Sequence, residues 1–66
     1  MKNTIKVERA IKNLTQEELA NKVSVSRQTI NAMEANKYVP STVLALKIAR
    51  VFNKHAEEIF LLEEND

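Results

Sequence analysis

The sequence predicts an all-α fold in which five short helices form one compact domain over residues 1–66. Two observations predict this class. Apolar residues recur at helical spacing in successive segments, and Ser, Thr or Asn residues stand at the borders of those segments, where they cap helices. A chain of 66 residues buries only about 60% of its unfolded surface. Its core is therefore marginal, and association of two copies is a common remedy.

The first helix is expected to follow Thr4, which is a candidate N-terminal cap. Four apolar residues fall at the i, i+3, i+4 and i+7 positions and predict a stripe that faces the core: Val7, Ala10, Ile11 and Leu14. Four charged residues fall elsewhere on the helical wheel: Lys6, Glu8, Arg9 and Lys12. Asn13 is expected to end the helix, because asparagine tolerates the left-handed conformation better than most residues.

The segment Gln16–Lys37 predicts two short helices joined by a turn of three or four residues. The first of them begins with a capping box, in which the side chains of Thr15 and Glu18 each accept a hydrogen bond from the other residue's backbone amide. Its apolar face is expected to consist of Leu19, Ala20 and Val23.

Ser26 is expected to cap the second helix of this pair, whose inward residues are Ile30 and Met33. Between the two helices, Val25 is the apolar residue that would hold the turn against the core. This is the layout of a helix-turn-helix, in which the second helix presents its outer face to DNA.

The fourth helix is expected to run from Thr42 to about Phe52, with Ser41 as its cap. The connector before it contains Asn36, a candidate left-handed C-terminal cap, and Pro40, which disfavours helix in the residue before it. Asn53 closes the helix. Its wide apolar face contains Leu44, Ala45, Ile48, Ala49 and Phe52.

A short fifth helix is expected from Ala56 to about Phe60 or Leu61, because acidic residues in its first turn suit the helix dipole. It ends in four consecutive apolar residues, Ile59, Phe60, Leu61 and Leu62. One helical face cannot hide all four, so we expect some of them to meet the N-terminus or another subunit. The termini could also pair as short strands, residues 2–4 beside residues 61–63.

Charge is distributed unevenly along the chain. Residues 1–54 hold all ten Lys and Arg against four acids, a net charge of +6, whereas residues 55–66 hold five acids and no base, a net charge of −5. This division suggests a body that faces a polyanion and an acidic end kept away from it. Charge alone is equally consistent with a solvated acidic tail and scattered surface lysines.

Composition argues against several other classes of function. The chain has no cysteine, hence no disulfide framework, and its one histidine, His55, has no second ligand at metal-binding spacing, so it is expected to serve as a makeshift helix cap. We expect no catalytic site, cofactor, metal or small-molecule ligand. No apolar run approaches the roughly 20 residues of a membrane span. A cytoplasmic location is expected.

The string LTQEELANKVSVSRQTINAMEANKYVPS, followed by LALKIARVF and EEIF, resembles the lambda-repressor-like helix-turn-helix regulators of the Cro, phage-repressor and xenobiotic-response-element type. The resemblance covers about residues 5–60. It implies a compact five-helix domain that dimerises and represses transcription by binding an operator. The sequence departs from the family pattern in three ways: Ser24, Asn36 and Asn53 replace glycine, His55 replaces a Ser or Thr cap, and Glu8 replaces an apolar residue.

The outer face of the third helix is the candidate site for base recognition. If Ile30 and Met33 point inward, the side chains that point outward are Arg27, Gln28 and Asn31. Asn and Gln pair with adenine and Arg with guanine, each good pair giving about 1–3 kcal/mol of discrimination. Thr29 is placed for a thymine methyl or a phosphate.

The resemblance also implies contacts with phosphates on either side of that helix and one structural ion pair. The phosphate contacts are Gln16, Ser26, Asn36, Lys37 and Tyr38. A loop tyrosine often packs against the core instead, so both roles stay open for Tyr38. Arg9 and Glu34 are expected to form a partly buried ion pair between the first and third helices, although two solvated charges are the alternative.

The leading hypothesis is a homodimeric, sequence-specific regulator that binds double-stranded DNA at an inverted repeat. Its dimer surface is expected in residues 56–66, with Ile59, Phe60, Leu61 and Leu62 as contacts. The alternative is an antitoxin or adaptor whose apolar C-terminus binds a partner protein. An adaptor has no need for the polar face of the third helix, and that face therefore favours DNA.

Overall fold

The computed structural model describes all 66 residues and confirms the all-α prediction. Five helices follow one another: α1 (Ile5–Lys12), α2 (Gln16–Val23), α3 (Arg27–Glu34), α4 (Thr42–Phe52) and α5 (Ala56–Ile59). Two short strands lie at the ends of the chain, β1 (Lys2–Asn3) and β2 (Phe60–Leu61). No helix has the length and apolar character needed to cross a lipid bilayer.

Twelve apolar residues form one core, and most of them come from α2, α3 and α4. The inward faces predicted for these helices are confirmed. Leu19, Ala20 and Val23 are buried on α2, and Ile30 and Met33 are buried on α3. On α4 the buried residues are Leu44, Ile48, Ala49 and Phe52, with Ala45 packed against them.

The predicted inward face of α1 is wrong. Val7 and Ile11 are 57% and 70% exposed, whereas Ile5 and Glu8 are buried. Helical spacing predicts Glu8 away from the apolar stripe, but Glu8 lies inside and its carboxylate accepts a 2.9 Å hydrogen bond from the Nζ of Lys54. Because α1 has only two turns, its polar anchors, rather than its apolar stripe, fix its rotation about the helix axis.

The end of α5 also differs from the prediction, because strand pairing captures the chain. The helix ends at Ile59 instead of Phe60 or Leu61, and Phe60 is extended, with φ −105° and ψ 120°. The backbone amide of Thr4 donates to the Ile59 carbonyl at 2.9 Å. The antiparallel register pairs Lys2 with Leu61 and Asn3 with Phe60. The C-terminal strand therefore begins at residue 60, one residue earlier than expected.

The side-chain caps of the three central helices are confirmed. At the start of α2, the Glu18 amide donates to Thr15 Oγ1 at 3.0 Å and the Thr15 amide donates to Glu18 Oε1 at 2.9 Å. The hydroxyls of Ser26 and Ser41 each accept from the backbone amide three residues later, both at 3.2 Å. These contacts satisfy amides that have no partner within the helix.

Two other expected caps are wrong in detail. Thr4 precedes α1 without making a side-chain cap bond, and its hydroxyl is buried without a partner. The side chain of Asn3 accepts from the Ile5 amide instead, at 3.2 Å. His55 occupies the N-cap position of α5 as expected, but its imidazole makes no cap hydrogen bond. Only the reverse half of that capping box is present, in which Glu58 Oε1 accepts from the His55 amide at 2.8 Å.

Four helix ends adopt the left-handed conformation without glycine. The φ angles of Asn13, Asn36 and Asn53 are 57°, 61° and 55°, and that of Ser24 is 61°. The side chain of asparagine suits this region, whereas serine lacks that advantage and its Cβ is crowded there. Ser24 is therefore the least favourable of the four residues.

We expect Ser24→Gly to raise the free energy of unfolding by up to about 1 kcal/mol, because glycine has no Cβ to crowd at positive φ. The melting temperature followed by circular dichroism should then rise by roughly 4–8 °C per kcal/mol for a domain of this size. Ala35→Gly is the matched control, since Ala35 also ends a helix but has φ −84°. A gain for the control and none for Ser24→Gly would contradict the strain argument.

Candidate nucleic-acid interface

The α2 and α3 helices and the three residues between them pack together as one unit. Ser24 ends α2 in the left-handed conformation and Ser26 caps α3. Val25, between them, is half-buried and packs against the core, as the sequence predicted. The buried residues on both helices face the same core, and consequently the outer side of α3 is turned to solvent.

Three of the four candidate base contacts lie together on that outer side. Arg27, Gln28 and Asn31 are exposed and line one shallow depression of about 160 Å³. Thr29 is half-buried, and its hydroxyl lies 3.0 Å from that of Ser26, so its polar atom belongs to the cap of α3. The depression therefore offers a guanidinium and two amides, groups that match the hydrogen-bonding edges of bases.

The candidate phosphate contacts lie at the two ends of this unit. Gln16 is the first residue of α2, and Ser26 precedes α3. Beyond α3, Asn36 turns the chain and the backbone amide of Lys37 donates to the Ala32 carbonyl at 2.9 Å, which fixes the position of this residue. Tyr38 is exposed in the connector and is not a core residue.

Arg9 and Glu34 form a bidentate ion pair between α1 and the end of α3. Arg9 Nε lies 2.6 Å from Glu34 Oε2, and Arg9 Nη2 lies 3.0 Å from Oε1. The third nitrogen, Nη1, donates to the carbonyl of Leu14 at 2.9 Å. The side chains are only 15% and 7% exposed. This geometry is the strong, directional form of the Arg–carboxylate contact.

The Glu34 carboxylate also contacts α2. Its Oε1 accepts a hydrogen bond from Gln16 Nε2 at 3.1 Å, and the same nitrogen lies 3.3 Å from Asn31 Oδ1. Burial acts to raise the pKa of Glu34, but the hydrogen bonds from Arg9 and Gln16 outweigh it and hold the pKa below its ordinary value. The carboxylate is therefore ionised at neutral pH.

Two contacts around the site had no signal in the sequence. One is the hydrogen bond from Gln16 to Asn31, residues that were assigned separate roles. The other joins the N-terminal strand to α3, where Asn3 Nδ2 donates to the Met33 carbonyl at 2.8 Å. Both contacts connect residues distant in sequence, and no local pattern pairs them.

The expected dimer contacts separate into two groups. Ile59 is fully buried and Phe60 is 8% exposed, so both pack in the core of the single chain and present little surface to a second copy. Leu61 and Leu62 are exposed. The strand pairing accounts for this difference, because it turns Phe60 inward and leaves the residues after it outside.

A further apolar surface includes Phe60, the residue that precedes these leucines. Val39 and Leu46 are exposed and, with Met1 and Phe60, line an open depression of about 330 Å³ with mostly apolar walls. The acidic tail folds toward the same end of the chain, where Asp66 lies 3.0 Å from the Met1 amino group. We call this region, Val39, Leu46, Leu61 and Leu62 together, the apolar end.

A turn of three residues between two packed helices, with a polar outer face on the second, defines a helix-turn-helix protein. The chain belongs to the helix-turn-helix family of the Cro/C1 type, whose family model matches residues 5–59. This membership confirms the resemblance seen in the sequence. The protein is a transcriptional regulator with a helix-turn-helix DNA-binding domain, which is not a class of enzyme.

Relatives of similar length support this assignment, and each is named an uncharacterized HTH-type transcriptional regulator. MJ0272 of Methanocaldococcus jannaschii is 54% identical over 66 residues, the whole of both chains. A protein of Archaeoglobus fulgidus is 53% identical over 66 residues, which cover all of this chain and 93% of the relative. YgzD of Bacillus subtilis is 47% identical over 66 residues, again the whole of both chains.

We expect Glu34→Ala to lower the free energy of unfolding by more than the roughly 1 kcal/mol upper limit of an exposed ion pair, because it leaves Arg9 without its counter-charge. Thermal unfolding measures the difference. Glu64→Ala, which removes an exposed carboxylate with no partner, is the control and should change stability little.

The difference in stability between wild type and Glu34→Ala should also depend on pH. The folded-state pKa of Glu34 lies below its ordinary value of 4.5. The stabilisation that the ionised Glu34 carboxylate contributes is therefore fully present above pH 4.5, and it is lost as the pH falls through the lower folded-state pKa. The gap in stability between wild type and Glu34→Ala should therefore narrow in acid. A gap that is constant from pH 7 to pH 2 would contradict this assignment.

Proposed function

We propose that the protein is a repressor that binds an inverted-repeat operator as a homodimer, with α3 of each copy in the major groove. The observation that carries this proposal is the outer face of α3, where Arg27, Gln28 and Asn31 share one exposed depression. Two copies related by a two-fold axis place their recognition helices about 34 Å apart, in successive major grooves.

Each proposed base contact uses a side-chain group that is not already held by a hydrogen bond within the chain. Arg27 can donate two hydrogen bonds to guanine, and Gln28 can pair with adenine through its amide. The hydroxyl of Thr29 is held by Ser26 at 3.0 Å. Its methyl group is therefore the part available to a thymine methyl. Asn31 lies one turn further along α3 and adds a contact in each half-site.

The phosphate contacts flank these bases. Gln16 and Ser26 stand at the N-terminal ends of α2 and α3, where backbone amides favour anions. Asn36, Lys37 and Tyr38 follow the other end of α3 and are exposed. Together they place neutral donors and one positive charge on the backbone on both sides of the groove. Binding should weaken with salt, because a phosphate that Lys37 neutralises releases its counterion.

The burial pattern favours the apolar end as the dimer surface. In this proposal, residues 1–66 form a single domain. Leu61 and Leu62 come from the C-terminal segment 56–66, and Val39 and Leu46 extend the surface beyond it. Exposed apolar residues that cluster beside a depression are typical of an interface. The acidic tail at this end carries charge of the sign that DNA repels, which suits a surface turned away from the operator.

Selection from random duplex DNA tests the function. We expect a palindrome whose two halves are about one helical turn apart, and Gln28→Ala should weaken binding to it at least tenfold by loss of a base contact. Lys47→Ala is the control, because Lys47 is exposed on α4 outside the recognition face. Binding without sequence preference, equal in Gln28→Ala, would overturn the proposal.

Sedimentation tests the dimer surface. Leu46→Asp and Val7→Asp each place a carboxylate at an apolar side chain that is 57% exposed, the first at the apolar end and the second on α1. We expect Leu46→Asp to produce monomers and Val7→Asp to leave the dimer intact. The reverse result would place the interface on α1. A wild-type protein that is monomeric at all concentrations would favour the adaptor hypothesis, in which the apolar end binds a different protein.

A further inference from the structure

Gln16 connects the buried ion pair to the recognition face. Its Nε2 lies 3.1 Å from Glu34 Oε1 and 3.3 Å from Asn31 Oδ1. A primary amide nitrogen carries two N–H groups, so this geometry uses both donors of the side chain. The residue is half-buried in a cleft of about 260 Å³, whose walls include Arg9, Glu34 and Asn31.

The orientation of both amides follows from one carboxylate. An ionised carboxylate accepts hydrogen bonds and donates none, and Glu34 is held in place by the bidentate contact from Arg9. Gln16 must therefore turn its nitrogen, rather than its oxygen, toward Glu34. That nitrogen also donates to the side chain of Asn31. The Asn31 amide must therefore turn its oxygen toward Gln16 to accept the hydrogen bond. The free nitrogen of Asn31 then points away from Gln16.

We propose that Gln16 is a positioning residue that orients the Asn31 amide with its nitrogen toward the DNA, so that Asn31 selects guanine over adenine at one position in each half-site. This inference rests on the proposed function. A bidentate pair with adenine needs the oxygen and nitrogen of the amide side by side at the base edge. In this protein the oxygen is turned to Gln16, whereas guanine offers two acceptors, O6 and N7, to the remaining nitrogen.

The same geometry separates two roles for Gln16. A phosphate oxygen only accepts hydrogen bonds, and the side chain of Gln16 has no free donor for it. The phosphate contact at the start of α2 therefore falls to the backbone amide of Gln16, which no side-chain substitution removes. A residue that positions Asn31 changes base preference, whereas a residue that grips a phosphate changes affinity for every sequence equally.

Gln16→Met is the substitution that tests this role, because methionine has a similar length and helix propensity but cannot donate a hydrogen bond. Binding is titrated against two operators that differ only by guanine or adenine at the position contacted by Asn31. We expect wild type to prefer guanine about tenfold, and Gln16→Met to reduce that preference to about twofold. Gln16→Ala should give the same result if Gln16→Met folds poorly, and a thermal melt checks both.

Asn31→Ala supplies the double-mutant control. If Gln16 acts through Asn31, Gln16→Met has no further effect on base preference in the Asn31→Ala background. A uniform loss of affinity in both backgrounds, equal for the guanine and the adenine operator, would show a direct phosphate contact and overturn the proposal. A wild-type preference for adenine would overturn it as well. A wild type without any sequence preference would instead remove the proposed function, and this proposal with it.

Discussion

The bidentate contact between Arg9 and Glu34 is the interaction on which the recognition face depends. A carboxylate that is only 7% exposed must be paired, because an isolated buried charge is very costly. A buried ion pair often adds little net stability compared with apolar residues of the same size. What it provides is direction. It fixes α1 against the end of α3, and one of the two paired oxygens, Oε1, also accepts from Gln16 and orients it.

A second charged contact explains how α1 is held. Glu8 is buried and bonds Lys54 at the end of α4, and this hydrogen bond raises the pKa of Lys54. Two ion pairs fix the rotation of α1. Its own Glu8 pairs with Lys54, and its Arg9 pairs with Glu34 of α3. The apolar side chains of Val7 and Ile11 consequently remain outside. An exposed apolar stripe on a short helix is in this case the result of ionic anchoring.

The ends of the chain divide the apolar C-terminus between two roles. Pairing of β1 with β2 draws Ile59 and Phe60 into the core and ends α5 after one turn. The residues that follow, Leu61 and Leu62, are then exposed. A chain this small has few apolar residues to spare, so the same segment completes its core and supplies the surface proposed for a second copy.

The sequence by itself determined the features that depend on neighbours along the chain. The caps at Thr15, Ser26 and Ser41, the left-handed helix ends and the inward faces of α2, α3 and α4 were predictable, because each arises within one or two helical turns. These features identify the helix-turn-helix and the polar side of α3. They are the parts of the candidate site that a local pattern can specify.

Only the tertiary structure decided the rotation of α1, the end of α5 and the orientation of the Asn31 amide. Each of these depends on a contact between residues far apart in sequence, such as Glu8 with Lys54 or the Thr4 amide with the Ile59 carbonyl. Periodicity identifies a face of a helix, but charge pairing and strand pairing decide which face turns inward and where the helix stops. In this helix of two turns, the ion pairs of Glu8 and Arg9 together outweigh the apolar pattern.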